Sequence, residues 1–258
     1  MARKVERSGR IVEILRERNG ASIRELAAET GVSEMTIRRD LEQLRLDNIV
    51  SLVHGAAIYR SNPAGSQDRD YHLTLEKGIN ISEKDRIGRA AAALVVPGDT
   101  IIIDVGTTTE LMAKHLPQNL AVTVVCFTMN ALMKIYNKGV DTLVMGGGYY
   151  HANTQLFESA ETINLIRRIR ATKLFLSAAG VSRELGLTCA NQYEVDVKQA
   201  CIESSLQKIL LADSKKFGQI RPAYFAPLSR MDMVITDSGI DGEWAAVMAQ
   251  MGIGVQTV

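Results

Sequence analysis

The chain has 258 residues, 46% of them hydrophobic and 23% charged, which is the balance of a soluble globular protein with room for two ordinary domains. Its longest apolar runs, 90–96 and 209–212, fall far short of the ~20 residues of a membrane helix. Charges interrupt its first seven residues, so neither a membrane span nor a secretory signal is expected, and the expected location is the cytoplasm.

In chain order, residues 1–59 read as three helices and a strand pair, a winged helix-turn-helix. The first helix covers 5–18, with Ile11, Ile14 and Leu15 at helical spacing, and Asn19-Gly20 stops it. Ser22-Ile23-Arg24-Glu25 is a capping box for a short second helix. Gly31 supplies a sharp turn, and Ser33 caps a third helix over 34–47. On that helix Ile37, Leu41 and Leu44 share one side. Met35, Arg39, Glu42 and Gln43 lie opposite, flanked by Thr36 and Arg38. In a helix-turn-helix the second helix of the motif enters the major groove. The planar fork of Arg39 matches the O6/N7 edge of guanine, and Thr36 and Arg38 suit phosphates. An ordinary capped helical hairpin with solvated arginines remains open at this point. Strands at 49–53 and 56–59, hinged at His54-Gly55, form the wing. Four basic residues (Arg3, Lys4, Arg7, Arg10) fall in the first ten, opposed by Glu6 alone. A solvated face explains that asymmetry as well as DNA phosphates do.

Residues 60–81 open with a polar stretch bearing Pro and Gly and read as a linker. From 82 to 258 the texture is α/β. Apolar runs at 100–105, 121–127, 142–145, 172–178, 207–213 and 231–236 alternate with helical stretches, as in a parallel sheet covered on both faces. The first run ends in Asp104-Val105-Gly106-Thr107-Thr108-Thr109-Glu110. Gly106 allows close backbone approach, the helix start offers free amides, and the threonines offer hydroxyls, which together suit a phosphate. A routine strand-to-helix turn capped by threonine reads the same way. Other strand ends carry Thr128, Gly147, Ser177, and Asp213 with Lys215. Ligands in open α/β sheets sit at such ends. Glu194 and Lys198, at i and i+4, share a helix face, a spacing that more often makes a surface ion pair than a site.

The run Val32-Ser33-Glu34-Met35-Thr36-Ile37-Arg38-Arg39-Asp40-Leu41, followed by Val53-His54-Gly55, resembles the N-terminal signature of the DeoR family of bacterial regulators. Glu83-Lys84, Gly98-Asp99, Asp104-x-Gly106-Thr107-Thr108, Gly146-Gly147, Ser177-x-x-Gly180, Glu194-x-x-x-Lys198 and Asp213-x-Lys215-x-Phe217-Gly218 resemble that family's sensor domain in order and spacing. The resemblance implies a repressor of a sugar or nucleoside operon. It also implies a sensor of the ribose-5-phosphate isomerase and CoA-transferase type, and release from double-stranded operator DNA by a phosphorylated sugar. It implies DNA contacts from Ser33, Met35, Thr36, Arg38, Arg39, Gln43 and His54. Effector contacts would come from Asp104, Gly106, Thr107, Thr108, Thr128, Gly147, Ser177, Glu194, Lys198, Asp213 and Lys215. A homo-oligomer without cofactor, metal or catalytic residues is the form implied. The wing departs from the family, with Leu52-Val53-His54-Gly55-Ala56-Ala57 where Arg-x-His-Gly-Gly-Ala is usual. So does Cys126-Phe127-Thr128, where most members have Thr-Asn-Ser. The motifs around 177–181, 188–189 and 214–223 look closer to the family's deoxyribose-operon repressors, which makes deoxyribose phosphate a candidate effector.

Two competing functions stay in view. A sugar-phosphate isomerase with an accessory DNA-binding domain could use Asp104, Glu194 and Lys198 for proton transfer, and an activator would differ only in operator placement. The three cysteines lack CxxC spacing and the four histidines are scattered, so neither set suggests a metal.

Overall fold

The computed structural model describes residues 2–18, 21–47, 49–53, 56–59 and 72–258. The chain divides into two units, 1–81 and 82–258.

The first unit contains α1 (Ala2–Arg18), β1 (Ala21–Ser22), α2 (Ile23–Thr30), α3 (Glu34–Leu46), β2 (Val50–Val53), β3 (Ala56–Tyr59) and α4 (Leu73–Glu76). The capping box forms as expected. Ser22 Oγ accepts from the Glu25 amide at 3.2 Å, and Glu25 Oε2 accepts from the Ser22 amide at 2.7 Å. Gly31 ends α2 in the left-handed region at φ 67°, a conformation costly for any residue with a Cβ. Ile11, Ile14 and Leu15 of α1 close a core with Leu26, Ile37, Leu41 and Leu44. Asp40 of α3 is buried, and Arg7 of α1 donates Nε to its carboxylate at 2.6 Å. Arg7 therefore ties α1 to α3 and is not a spare phosphate ligand. Two differences from the sequence reading appear. β1 pairs with β3, making the wing three-stranded. Residues 73–76, read as linker, form a helical turn that packs on α1 with Leu73 buried.

The second unit runs α5 (Ile81–Ala92), β4 (Thr100–Ile103), α6 (Thr107–His115), β5 (Thr123–Cys126), α7 (Met129–Ile135), β6 (Thr142–Met145), β7 (Tyr149–His151), β8 (Leu156–Glu158) and α8 (Ala160–Arg168). It continues with β9 (Ala171–Ser177), β10 (Gly180–Ser182), β11 (Gly186–Cys189), α9 (Val195–Glu203), β12 (Ser205–Leu211), β13 (Ala223–Ala226), β14 (Met233–Thr236), α10 (Gly242–Gln250) and β15 (Gly254–Thr257). A sheet of seven parallel strands has the order β15-β14-β12-β9-β4-β5-β6. Ile101, Ile103, Val124, Phe175, Ile209 and Ile235 face a core shared with Ile87, Met112, Ala113 and Ile135. Ile102, Val125, Leu174, Leu176, Leu210 and Val234, at the alternate positions, are buried too. Burial on both faces explains runs that are apolar throughout. β10, β11 and β13 form a separate antiparallel sheet, and β7 and β8 a hairpin.

Asp85 of α5 ties that helix to α6, with His115 Nε2 at 2.8 Å and Lys114 Nζ at 3.3 Å, and Arg89 of its own helix lies at 3.2 Å. Partial burial works to raise its pKa, but hydrogen bonds from His115, Arg89 and Lys114 outweigh that and hold it at about 2. A carboxylate whose folded pKa is depressed contributes stability above its unfolded value of about 4, and loses it as pH falls through the folded one. In melts, wild type is expected to exceed Asp85→Asn by about 1 kcal/mol above pH 5. The difference should vanish toward pH 2, and a pH-independent difference would contradict the ion pairing.

Candidate functional site

The third helix presents its polar side as the sequence suggests. Ser33 accepts from the Thr36 amide at 3.3 Å, and its hydroxyl meets that of Thr36 at 3.0 Å. Met35 is 68% exposed, and Arg38, Arg39 and Gln43 are also exposed. Several of these groups have local partners. Arg38 lies 3.9 Å from Glu34, Gln43 donates to Asp47 at 3.4 Å, and Arg45 pairs with Glu42 at 2.5 Å. Arg39 has no partner among the described residues, so its fork is free for an external acceptor. His54 lies outside the described residues.

In the second unit, β4, β5 and β6 end in register, Ile103 opposite Cys126 and Cys126 opposite Met145. β9 and β12 end together, Ser177 opposite Leu211. Strands stop a little before the sequence reading placed their ends: β4 at Ile103, β5 at Cys126, β9 at Ser177 and β12 at Leu211. Asp104, Thr128 and Asp213 thus fall in the turns just beyond. Five neighbouring strands bring Asp104, Gly106, Thr107, Thr108, Thr128, Gly147, Ser177, Asp213 and Lys215 to one edge of the sheet.

At the centre of that edge is a buried ion pair. Lys198 Nζ lies 2.5 Å from Asp104 Oδ2 and 3.1 Å from the Ser177 carbonyl, with both charged side chains at 1% exposure or less. The Ser177 amide donates to the same carboxylate oxygen at 2.9 Å, its hydroxyl donates to the Val105 carbonyl, and Asp104 Oδ1 has no partner. Burial works against charge on Lys198, but Asp104 and Glu194 more than compensate, and its pKa stands above the ordinary lysine value. Glu194 is also buried, which raises its pKa although Lys198 pulls the other way. It caps Asn191, whose amide and Nδ2 donate to Glu194 Oε1 at 3.2 and 2.8 Å. Glu194 and Lys198 are therefore both interior rather than a surface pair, and Lys198 makes its ion pair with Asp104.

Gly106 opens α6 without a side-chain cap. A Cβ there would stand 2.6 Å from Ser177 Oγ and 2.8 Å from its Cβ, so the close approach requires glycine. The first intrahelical bond is from the Glu110 amide to the Gly106 carbonyl at 3.1 Å, leaving three preceding amides at the helix start. One threonine does not serve as expected. Thr109 points inward, donating to the Asp104 carbonyl at 2.8 Å. Lys198 is likewise committed to Asp104, which leaves exposed Lys215, on the helical turn Ser214–Lys216, as the cation at this edge available to an anion.

No hydrogen bond joins Thr128, Gly147 or Lys215 directly to the Asp104 centre among the described residues. Gly147 lines a depression of about 340 Å³ with Ser159 and Thr162, both of which donate to its carbonyl. A cleft of about 620 Å³ between Arg183, Thr188, Arg221 and Tyr224 contains none of the expected effector residues. Sequence reasoning placed Asn130 in the turn after a strand, Phe127-Thr128-Met129-Asn130, without giving it a role, and passed over Asn191. Asn191 had a signal, since Asn-x-x-Glu is a capping-box spacing. Burial pushes the thiols of Cys126 and Cys189 up to about 12 and that of Cys201 up as well, so none is a nucleophile near neutral pH. Among the described residues no cluster of His, Cys, Asp or Glu could hold a metal, and no helix is long and apolar enough to cross a membrane.

Residues 7–62 match the DeoR-like helix-turn-helix domain, and residues 79–238 the DeoR C terminal sensor domain. The deoxyribose operon repressor of Escherichia coli K12 is 31% identical over 242 residues, 94% of either chain. The uncharacterized HTH-type transcriptional regulator YulB of Bacillus subtilis is 34% identical over 236 residues, 92% of this chain and 90% of its own. Ribose 5-phosphate isomerase A of Methanocaldococcus jannaschii aligns over 54% of this chain and 55% of its own, at 16% identity and a TM-score of 0.40. That likeness is too remote to bear on chemistry.

Proposed function

Because the chain belongs to the DeoR family of transcriptional regulators, we propose that it is a cytoplasmic repressor of a sugar or nucleoside catabolic operon, released from its operator by a phosphorylated sugar. The observation that carries this reading is the division of the chain. The helix with the free arginine fork belongs to residues 1–81, and every candidate effector group to residues 82–258. In a homo-oligomer, two copies of α3 enter successive major grooves. Arg39 reads a guanine, Thr36 and Arg38 hold phosphates, and Ser33, Met35, Gln43 and His54 complete the interface. The effector's phosphate takes the amides before Glu110 and the charge of Lys215, and its hydroxyls take the acceptors along the sheet edge. The name of the Escherichia coli relative puts deoxyribose phosphate first among pentose phosphates to try. Release requires the effector to bind the arrangement that does not bind DNA more tightly.

The chain is not an enzyme in this reading. Asp104, Glu194 and Lys198, the residues an isomerase would need, are buried in contact or close electrostatic range of one another. Incubation with ribose 5-phosphate and assay for the ketose tests that alternative directly. For the DNA half, Arg39→Ala is expected to weaken binding to selected operator sequence by about 1–3 kcal/mol and to relax base preference at one position. Equal weakening on operator and on random DNA would remove Arg39 as a base reader.

A further inference from the structure

We propose that Asn130 is the positioning residue of the effector site, its amide nitrogen fixing the start of α6 and its amide oxygen accepting a hydroxyl of the bound anion. The proposal rests on the reading of the α6 start as that site. Helices of this kind usually carry a Ser, Thr or Asp cap, and α6 has none, because Gly106 has no side chain and Ser177 fills the space where one would stand. The neighbouring helix substitutes for it. Asn130, in the first turn of α7 and 4% exposed, donates Nδ2 to the Gly106 carbonyl at 3.2 Å and to Glu110 Oε2 at 3.1 Å. The same carbonyl accepts from the Glu110 amide and from Thr109 Oγ1, each at 3.1 Å. Two N–H donors on one oxygen, with the Thr109 hydroxyl proton shared between it and the Asp104 carbonyl, fix the peptide plane that aims the amides of the helix start. Glu110 is steadied by Lys134, 3.7 Å away.

A second observation points to a ligand. Asn130 Oδ1 is buried and has no donor. An acceptor in that position is unfavourable until a donor arrives. The fit is to an anion with a hydroxyl near its phosphate-bearing end.

The test uses the full chain. In Asn130→Asp the new carboxylate faces the Gly106 carbonyl and Glu110, and the donor is lost. The Glu110 amide, whose acceptor is Gly106, is expected to exchange with solvent about tenfold faster than in wild type at pH 7. The gap should narrow at about pH 5, where the protonated carboxyl donates again. Asn130→Leu is expected to exchange faster at both pH values. Unchanged exchange in Asn130→Asp, or the same pH response in both variants, overturns the assignment. Where Asn130→Asp does not fold at pH 7, Asn130→Leu, which removes the donor without adding a charge, carries the exchange measurement, and unchanged exchange of the Glu110 amide in it overturns the assignment. Ribose 5-phosphate should bind Asn130→Asp about tenfold more weakly than wild type at pH 7. Binding of neither deoxyribose 5-phosphate nor ribose 5-phosphate to wild type rejects the effector reading alone, since exchange still decides whether Asn130 holds Gly106.

Discussion

Asp104→Ala is expected to destabilise the protein by about 3–5 kcal/mol, the largest effect of any single truncation at the sheet edge. The reason is what remains behind. Lys198, 1% exposed, would lose the carboxylate at 2.5 Å and keep only the Ser177 carbonyl and the nearby Glu194. An ammonium buried without its partner costs far more than the pair contributed when intact. The double variant Asp104→Ala with Lys198→Met removes both charges of the pair and should recover most of the loss, as measured by denaturant melts of wild type, both singles and the double. The double variant also isolates function. It should still bind operator, because the DNA-reading helix belongs to residues 1–81, yet ignore the inducer. Additive single effects in the cycle, or loss of operator binding with the fold intact, would contradict this account.

The second large effect concerns the ligand. A phosphate dianion needs donors and positive charge, and in the proposed function these come from the α6 start and Lys215. Asp104 Oδ1, Thr128 Oγ1 and Asn130 Oδ1 are buried without partners. Asp104 and Asn130 offer acceptors, which suit sugar hydroxyls and repel phosphate. Free deoxyribose or ribose is therefore expected to bind at least ~100-fold more weakly than its 5-phosphate, since losing a charged partner costs several kcal/mol. Calorimetric titration of the four compounds makes the comparison, and equal affinities would reject the phosphate cradle.

Much of this was legible in the sequence because it is local. The capping box at Ser22, the left-handed Gly31 and the buried stripe Ile37, Leu41 and Leu44 follow from spacing alone, and α3 forms where they put it. Six of the seven parallel strands were legible as apolar runs, and the seventh, β15 over Gly254–Thr257, was not, because it is half-exposed and not an apolar run. The antiparallel sheet was not, because β10 and β11 are short and buried at every position, so they show no alternation. At the candidate site, the turns after strands that carry Asp104, Gly106, Thr128, Gly147 and Asp213 marked the edge, but pairings across it are tertiary. Lys198 finds Asp104 across 94 residues of sequence, and Asn130 finds Gly106 across 24. No pattern in one chain announces such partners. The helical spacing of Glu194 and Lys198 suggested a surface pair because it says nothing of burial.

The central claim is that two separate sites in one chain are coupled, one for DNA and one for a phosphorylated sugar. Coupling is reciprocal by thermodynamic necessity. The most direct measurement titrates deoxyribose 5-phosphate and ribose 5-phosphate into the full chain bound to labelled DNA selected from a random pool, and then repeats the sugar phosphate titration with that DNA present and absent. The account predicts that at least one sugar phosphate releases the DNA, and that the DNA weakens its binding by the same factor. Binding of DNA and sugar phosphate with no effect of either on the other would contradict it.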